Sequence, residues 1–333
     1  MIIIYRGILI ILGLILFLQN VQSQTNRYDS LVSLWYEKTL ALQPNTTNDL
    51  RYLGRDSASL PDSVYIARLE RIPTTLPLAY NELVRREILR YTKISWRESV
   101  NNLVGREMYY CPLFEEVLES QGLPQEIKYL PIIESAVKNE AMSRAKALGM
   151  WQFMPTTGRT FGMYGNKIYD ERREPTRSTA SAGKFLKGMN DRWYDDYLLS
   201  LAGYNCGPGN VNKAIVRAGG GKKNFWDIYE YLPGETKSYV PRFIAVTYLM
   251  HFYPEHGVNV NRHYLPFATD TIWIPARKTL SFNYLSEKLG VSASLLKDLN
   301  PMYKKDYIPV ANKQLLRFPI SVMQRAVKLK KEL

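Results

Sequence analysis

Gly122-Leu-Pro-Gln-Glu-Ile-Lys-Tyr-Leu-Pro-Ile-Ile-Glu-Ser135 sets a carboxylate, Glu134, behind an almost wholly apolar run. Gly122 and Pro124 stop one helix and start the next, with the proline suited to a first helical turn. The apolar run Tyr129 to Ile133 then predicts a helix of about ten residues, with Glu134 near its far end. A carboxyl group in apolar surroundings loses hydration, so its charged form is disfavoured and its pKa rises. Such a glutamic acid stays protonated near neutral pH and can donate a proton to a leaving oxygen. Cleavage of a glycosidic bond needs an acid of this kind.

Two further segments lie downstream, Gly149-Met-Trp-Gln-Phe-Met-Pro155 and Gly203-Tyr-Asn-Cys-Gly207. A glycine such as Gly149 lets a backbone approach a sugar closely, and the Gln152 amide can both donate and accept hydrogen bonds. Residues 136 to 148 are small and polar and read as an irregular loop. Around this centre the pattern is helical. Ile66, Leu69 and Ile72 recur at helical spacing, and Asn81 to Tyr91 is amphipathic. Val100 to Met108 and Leu113 to Leu118 continue as two runs. Ser178 to Asn190, Asp195 to Tyr204, Val211 to Ala218 and Tyr239 to Phe252 are further helices. Asp170 and Arg172 read as a loop-stabilising pair.

The 333 residues hold one large or two modest domains, and 46% hydrophobic with 23% charged residues is an ordinary globular composition. A net charge of +13 invites a nucleic-acid reading. The amino terminus argues against it. Arg6 precedes an apolar run from Ile8 to Leu18, and Val21 and Ser23 frame a cleavage site before Gln24, so residues 1–23 read as a signal peptide. The alternative is an uncleaved segment that keeps the protein at a membrane. Either way the mature chain is expected outside the cytoplasm, in the periplasm or cell envelope, where an acidic polymer suits the basic charge better. Cys111 and Cys206 leave two readings open, a disulfide bracing the cleft or two separate thiols. His251, His256 and His263 show no metal-ligand spacing with them, so no metal and no cofactor are expected.

Glu134-Ser135, Ser143, Gly149-Met150-Trp151-Gln152, Gly203-Tyr204-Asn205 and Tyr239-Val240 occur in order. Over roughly residues 110 to 250 this pattern resembles the catalytic domain of soluble-type lytic transglycosylases, which have a lysozyme-like fold. The departures are Met-Trp for Leu-Met and Gly203 for alanine. The resemblance implies Glu134 as catalytic acid. It implies Ser143, Gly149, Gln152, Tyr204, Asn205 and Tyr239 as substrate-binding residues; Ser135 reads as structural, pinning the helix end. The implied partner is the peptidoglycan glycan strand, cleaved between N-acetylmuramic acid and N-acetylglucosamine. A muramidase on the same fold, or a wall-binding protein without activity, are the rival readings.

After His251 the texture changes. Thr271 to Ile274 alternates like a strand, Phe282 to Leu289 and Ala293 to Leu299 read as short helices, and Leu315 to Phe318 as a closing strand. This order, with Gly290-Val-Ser292 and Leu299-Asn300-Pro301, resembles the LysM peptidoglycan-binding module. Ala276-Arg-Lys278 stands where that module has a glycine-aspartate turn. The expected architecture is mainly α. It comprises a helical lead-in (24–108), a lysozyme-like catalytic domain (109–255), a βααβ module (265–320) and a basic C-terminal helix (321–333).

Overall fold

Amphipathic helices lead the chain toward Glu134. The computed structural model describes residues 60–193, 195–260 and 268–333. The expected leader, and the lead-in before residue 60, lie outside the described residues. Residues 60–260 with 301–305 form one unit, and residues 268–300 with 306–333 form another.

In the first unit, α1 (Asp62–Glu70) is followed by α2 (Glu82–Thr92). The Asn81 side chain caps α2 by accepting the Val84 N–H at 3.0 Å. α3 (Arg97–Glu119) is one continuous helix of 23 residues, where the sequence predicts two runs. Pro112 sits inside it, at a cost of roughly 3 kcal/mol. Burial of Tyr109, Tyr110, Phe114 and Leu118 on both sides of the proline offsets that cost. The expected ten-residue helix is shorter, with a tight turn over Gln125–Tyr129 followed by α4 (Leu130–Ser135).

Five helices complete the frame around the site: α5 (Pro155–Thr160), α6 (Pro175–Asn190), α7 (Tyr197–Cys206), α8 (Pro208–Arg217) and α9 (Phe225–Ile228). α10 (Gly234–Phe252) then closes the unit. Glu174 and Asp196 accept backbone N–H groups at the starts of α6 and α7. α7 packs on α6, α8 and α10, and α10 packs on α2 and α4. α10 is apolar on nearly every side from Tyr239 to Phe252, which is the pattern of a central buried helix. That placement carries Tyr239 to the end of α4. Gly203 has a packing reason: a Cβ there would lie 2.6 Å from the Trp193 ring.

In the second unit β1 (Thr269–Ala276) is followed by β2 (Leu280–Ser281), α11 (Phe282–Leu289), α12 (Ala293–Leu299), β3 (Tyr307–Ile308) and β4 (Ala311–Pro319). β1 and β4 pair antiparallel, with Trp273 opposite Leu315 and a register shift at Pro275, where a proline cannot donate to the ladder. Ser281 and Ser292 cap the two helices. The expected order of strand, helix, helix and strand is present, with a short β2–β3 pair added between the outer strands and the helices. α13 (Met323–Lys330) buries Met323, Ala326 and Leu329 and packs on α11, β1 and β4. No described helix is long and apolar enough to cross a membrane.

Candidate active site

α4 delivers Glu134 and then stops abruptly. Ala136 and Val137 take φ values of 52° and 59°, two successive left-handed residues without a glycine. Such conformations cost on the order of 1–3 kcal/mol each, and a β-branched valine tolerates them poorly. Val137 is 1% exposed, Arg106 Nε donates to the Ala136 carbonyl at 2.8 Å, and Ser135 Oγ donates to the Met150 carbonyl at 2.9 Å. These contacts hold the bend that turns the chain away immediately behind the carboxylate.

Glu134 is half-buried, and loss of hydration pushes its pKa up to about 7. The Tyr239 hydroxyl donates to Glu134 Oε1 and pulls the other way, Glu235 adds to the rise, and Arg242 opposes it. Tyr239 is 3% exposed, and burial holds its own pKa well above the usual tyrosine range. The tyrosine is therefore a permanent donor, and it fixes one oxygen of the acid.

The second wall is the turn over residues 141 to 153. Gln152 has φ 47°, and its Nε2 donates to the carbonyls of Ala141 and Gly149 at 2.9 and 2.8 Å. Gly149 has φ 87°, and a Cβ there would lie 2.1 Å from the Arg172 carbonyl oxygen. The glycine thus permits a close approach within the protein. Ser143 Oγ accepts the Ala147 N–H at 3.0 Å, closing the same loop. Trp151 is fully buried, with its Nε1 donating to Thr179 Oγ1.

Tyr204, at the end of α7, donates from its hydroxyl to the Trp151 carbonyl at 2.6 Å and lies within electrostatic reach of Glu134. It links α7 to the turn and adds a polar edge beside the acid. The Asn205 Oδ1 accepts from Thr236 Oγ1 at 2.7 Å. The structure thus ties Tyr239 directly to Glu134, sets Tyr204 beside it, and gathers Ser143, Gly149 and Gln152 in one loop. No described bond joins Ser143 or Asn205 to the acid.

Three acidic side chains of the neighbouring loop, Asp170, Glu171 and Glu174, are engaged elsewhere. Asp170 grips Arg172 through both its oxygens, at 3.0 Å to Nε and 2.9 Å to Nη2. Glu171 pairs with Arg177, and Glu174 caps α6. The Cys111–Cys206 bridge that the sequence left open is not formed. Cys111 is buried in α3 beside Glu107, Glu115 and Lys128, while Cys206 Sγ lies 3.7 Å from the Gly207 carbonyl. Burial raises both thiol pKa values, most strongly at Cys111, which lowers the thiolate fraction of each. Among the described residues no cluster of His, Cys, Asp and Glu is placed to hold a metal ion.

Sequence reading passed over Thr236 and the full reach of Arg172. Thr236 precedes Tyr239 by three residues on one helix, so helical spacing could have flagged it. Arg172 Nη1 donates to the carbonyls of Lys146 and Phe153 at 2.9 and 2.8 Å, a role for which the sequence carries no signal.

Residues 113–226 match the family model described as transglycosylase SLT domain, and residues 268–333 match the LysM-like domain of lytic transglycosylase MltD. The chain is 35% identical over 280 residues to membrane-bound lytic murein transglycosylase D of Escherichia coli strain K12, covering 82% of this chain and 59% of that one. The chain therefore spans less than two thirds of that relative's length. A 70-kDa soluble lytic transglycosylase solved with bulgecin A aligns at a TM-score of 0.39 and 21% identity, over 51% of this chain and 30% of that one. The Escherichia coli 70-kDa enzyme aligns at a TM-score of 0.33 and 22% identity, over 61% and 29%.

Proposed function

We propose that the protein is a peptidoglycan lytic transglycosylase of the cell envelope, with Glu134 as its single acid and base. The observation that carries this reading is a raised glutamic acid clamped by a buried tyrosine, at the end of a helix inside the SLT-matched segment. Glu134 gives its proton to the oxygen between N-acetylmuramic acid and N-acetylglucosamine as the C1–O bond breaks. It then accepts the proton of the muramic C6 hydroxyl as that oxygen bonds to C1. The product is a 1,6-anhydro ring, no water is consumed, and Glu134 ends as it began.

One carboxyl group suffices because the nucleophile belongs to the substrate, whereas the two-carboxylate hydrolases need a second at defined separation. Asp170, Glu171 and Glu174 are committed to Arg172, Arg177 and the start of α6. Glu235, whose field reaches Glu134, is exposed in the first turn of α10. Gln152, Ser143 and Asn205 are the proposed sugar contacts, and Tyr204 and Tyr239 orient the acid. Residues 109–255 act as the catalytic domain and 265–320 as a glycan-binding module. The leader at 1–23 directs export or, uncleaved, keeps the protein at the membrane.

Mass spectrometry of muropeptides released from purified peptidoglycan by residues 24–333 tests the reading. Products one water lighter than reducing-end muropeptides are expected. Reducing-end products would overturn it in favour of hydrolysis and direct attention to Glu235. Binding without any product would favour a wall-binding protein.

A further inference from the structure

The segment Pro301–Lys305 lies far along the chain from the SLT-matched residues, yet it belongs to the same compact unit as Glu134. It pairs as a short antiparallel strip with residues 168–170. The Asp170 N–H donates to the Met302 carbonyl at 2.8 Å, the Lys304 N–H donates to the Ile168 carbonyl at 2.7 Å, and Tyr303 sits opposite Tyr169. Tyr303 is 1% exposed and Met302 6%. Lys304 Nζ adds a bond to the Asn166 carbonyl. A strip this well buried is anchored, since leaving its backbone groups unpaired there would be costly.

The strip meets the chain at the residue that organises the second wall of the site. Asp170, fixed by Met302 through its N–H, holds Arg172 with both carboxylate oxygens. Arg172 in turn holds the carbonyls of Lys146 and Phe153. Those residues bracket the turn that carries Gly149 and Gln152, and the Arg172 carbonyl fills the space that Gly149 leaves free. Each link is a hydrogen bond between groups with little freedom to move independently. Gly165 packs against the Asp170 carboxylate from the other side, where a Cβ would approach within 2.6 Å.

We infer that Pro301–Lys305 is a positioning strap for the substrate turn at Gly149–Gln152, acting through Asp170 and Arg172. This rests on the transglycosylase reading for its effect on activity, though not for its effect on the turn. The strap does not touch Glu134, so it governs how glycan is held and leaves the proton donor alone. A change in the strap alters KM more than kcat.

The test uses the full chain with Tyr303→Ala, and Tyr303→Phe as the conservative partner. Glycan cleavage by Tyr303→Ala should show a KM raised about tenfold, with kcat and the pH midpoint near wild type, since loosening a group that holds glycan equally in the ground and transition states weakens binding alone. Tyr303→Phe should behave as wild type. Hydrogen exchange should show the Leu148 and Gln152 amides, which bond to Phe153 and Gly149 carbonyls, exchanging faster in Tyr303→Ala. A folded Tyr303→Ala protein with wild-type KM and unchanged exchange overturns the inference, and so does a loss confined to kcat. If Tyr303→Ala does not fold, Lys304→Ala must raise KM in the same direction, by about twofold, and an unchanged KM overturns the strap. If the wild-type chain cleaves no glycan, the functional reading has failed separately. Exchange at Leu148 and Gln152 then decides the strap alone.

Discussion

Glu107 and Glu134 sit in one helical unit and carry similar perturbations. Glu107 is wholly buried within α3, and burial lifts its pKa to about 8 against the pull of Lys128. Glu134 ends α4 half-buried, and burial lifts its pKa to about 7 against the Tyr239 hydrogen bond. Burial moves both carboxyl groups toward the protonated form near neutral pH, but they differ in access and orientation. Glu107 faces Cys111 and the Lys128–Glu115 pair, where no substrate can arrive. Glu134 has one oxygen fixed by Tyr239 and retains exposed surface. A raised pKa marks a poorly hydrated carboxyl group, and only position turns it into an acid that works.

The largest expected effect separates the two residues outright. Glu134→Gln should fold normally and lose at least about 10³-fold in glycan cleavage, since it removes both proton transfers. Glu107→Gln should leave cleavage near wild type. Parallel losses in the two variants would break the distinction between buried and working carboxyl groups.

The pH profile sharpens it. Glu134 must be protonated in the free enzyme, so kcat/KM should fall as pH rises through about 7. Tyr239→Phe removes the donor that favours the charged form. The alkaline limb should then move to higher pH, with a loss of about tenfold at neutral pH. A limb that stays in place, or moves down, would remove Tyr239 from its assigned position.

The next effect is on stability. A carboxyl group whose folded pKa is raised favours folding at low pH and loses that contribution as pH climbs from its unfolded value through its folded one. For Glu107 this window runs from 4.5 to about 8. Glu107→Gln should therefore flatten the fall in stability across that window. At pH 9 it should gain on the order of 1 kcal/mol over wild type, read as Tm from thermal unfolding. A lower Tm at pH 9 would show that Glu107 is held charged by Lys128 instead. The smallest expected effect is that of reductant, which should leave Tm unchanged because Cys111 and Cys206 are unbridged.

The part of this picture that sequence made legible is the part where chemistry demands particular side chains. A carboxylate behind an apolar run, a glutamine after a glycine, and a tyrosine-asparagine pair at a helix end each carry their reason in residue type. The backbone that seats them was less legible. Ala136 and Val137 bend left-handed without glycine, because surrounding contacts hold what local preference opposes. α3 runs through Pro112 because tertiary burial outweighs a local breaker. The pairing of Pro301–Lys305 with residues 168–170 has no periodic signature. It depends on contacts between residues more than a hundred positions apart, which no window of sequence contains.

The two sulfur atoms have a practical consequence. Cys111 is sealed among side chains that suppress its thiolate, and Cys206 is half-exposed at a helix end. With no covalent staple between helices, the chain should reach the same folded state in a reducing compartment as in an oxidising one. Its production then requires no oxidative refolding. An added reagent that seeks thiols would find Cys206 first, which makes that position the natural handle for attaching a probe.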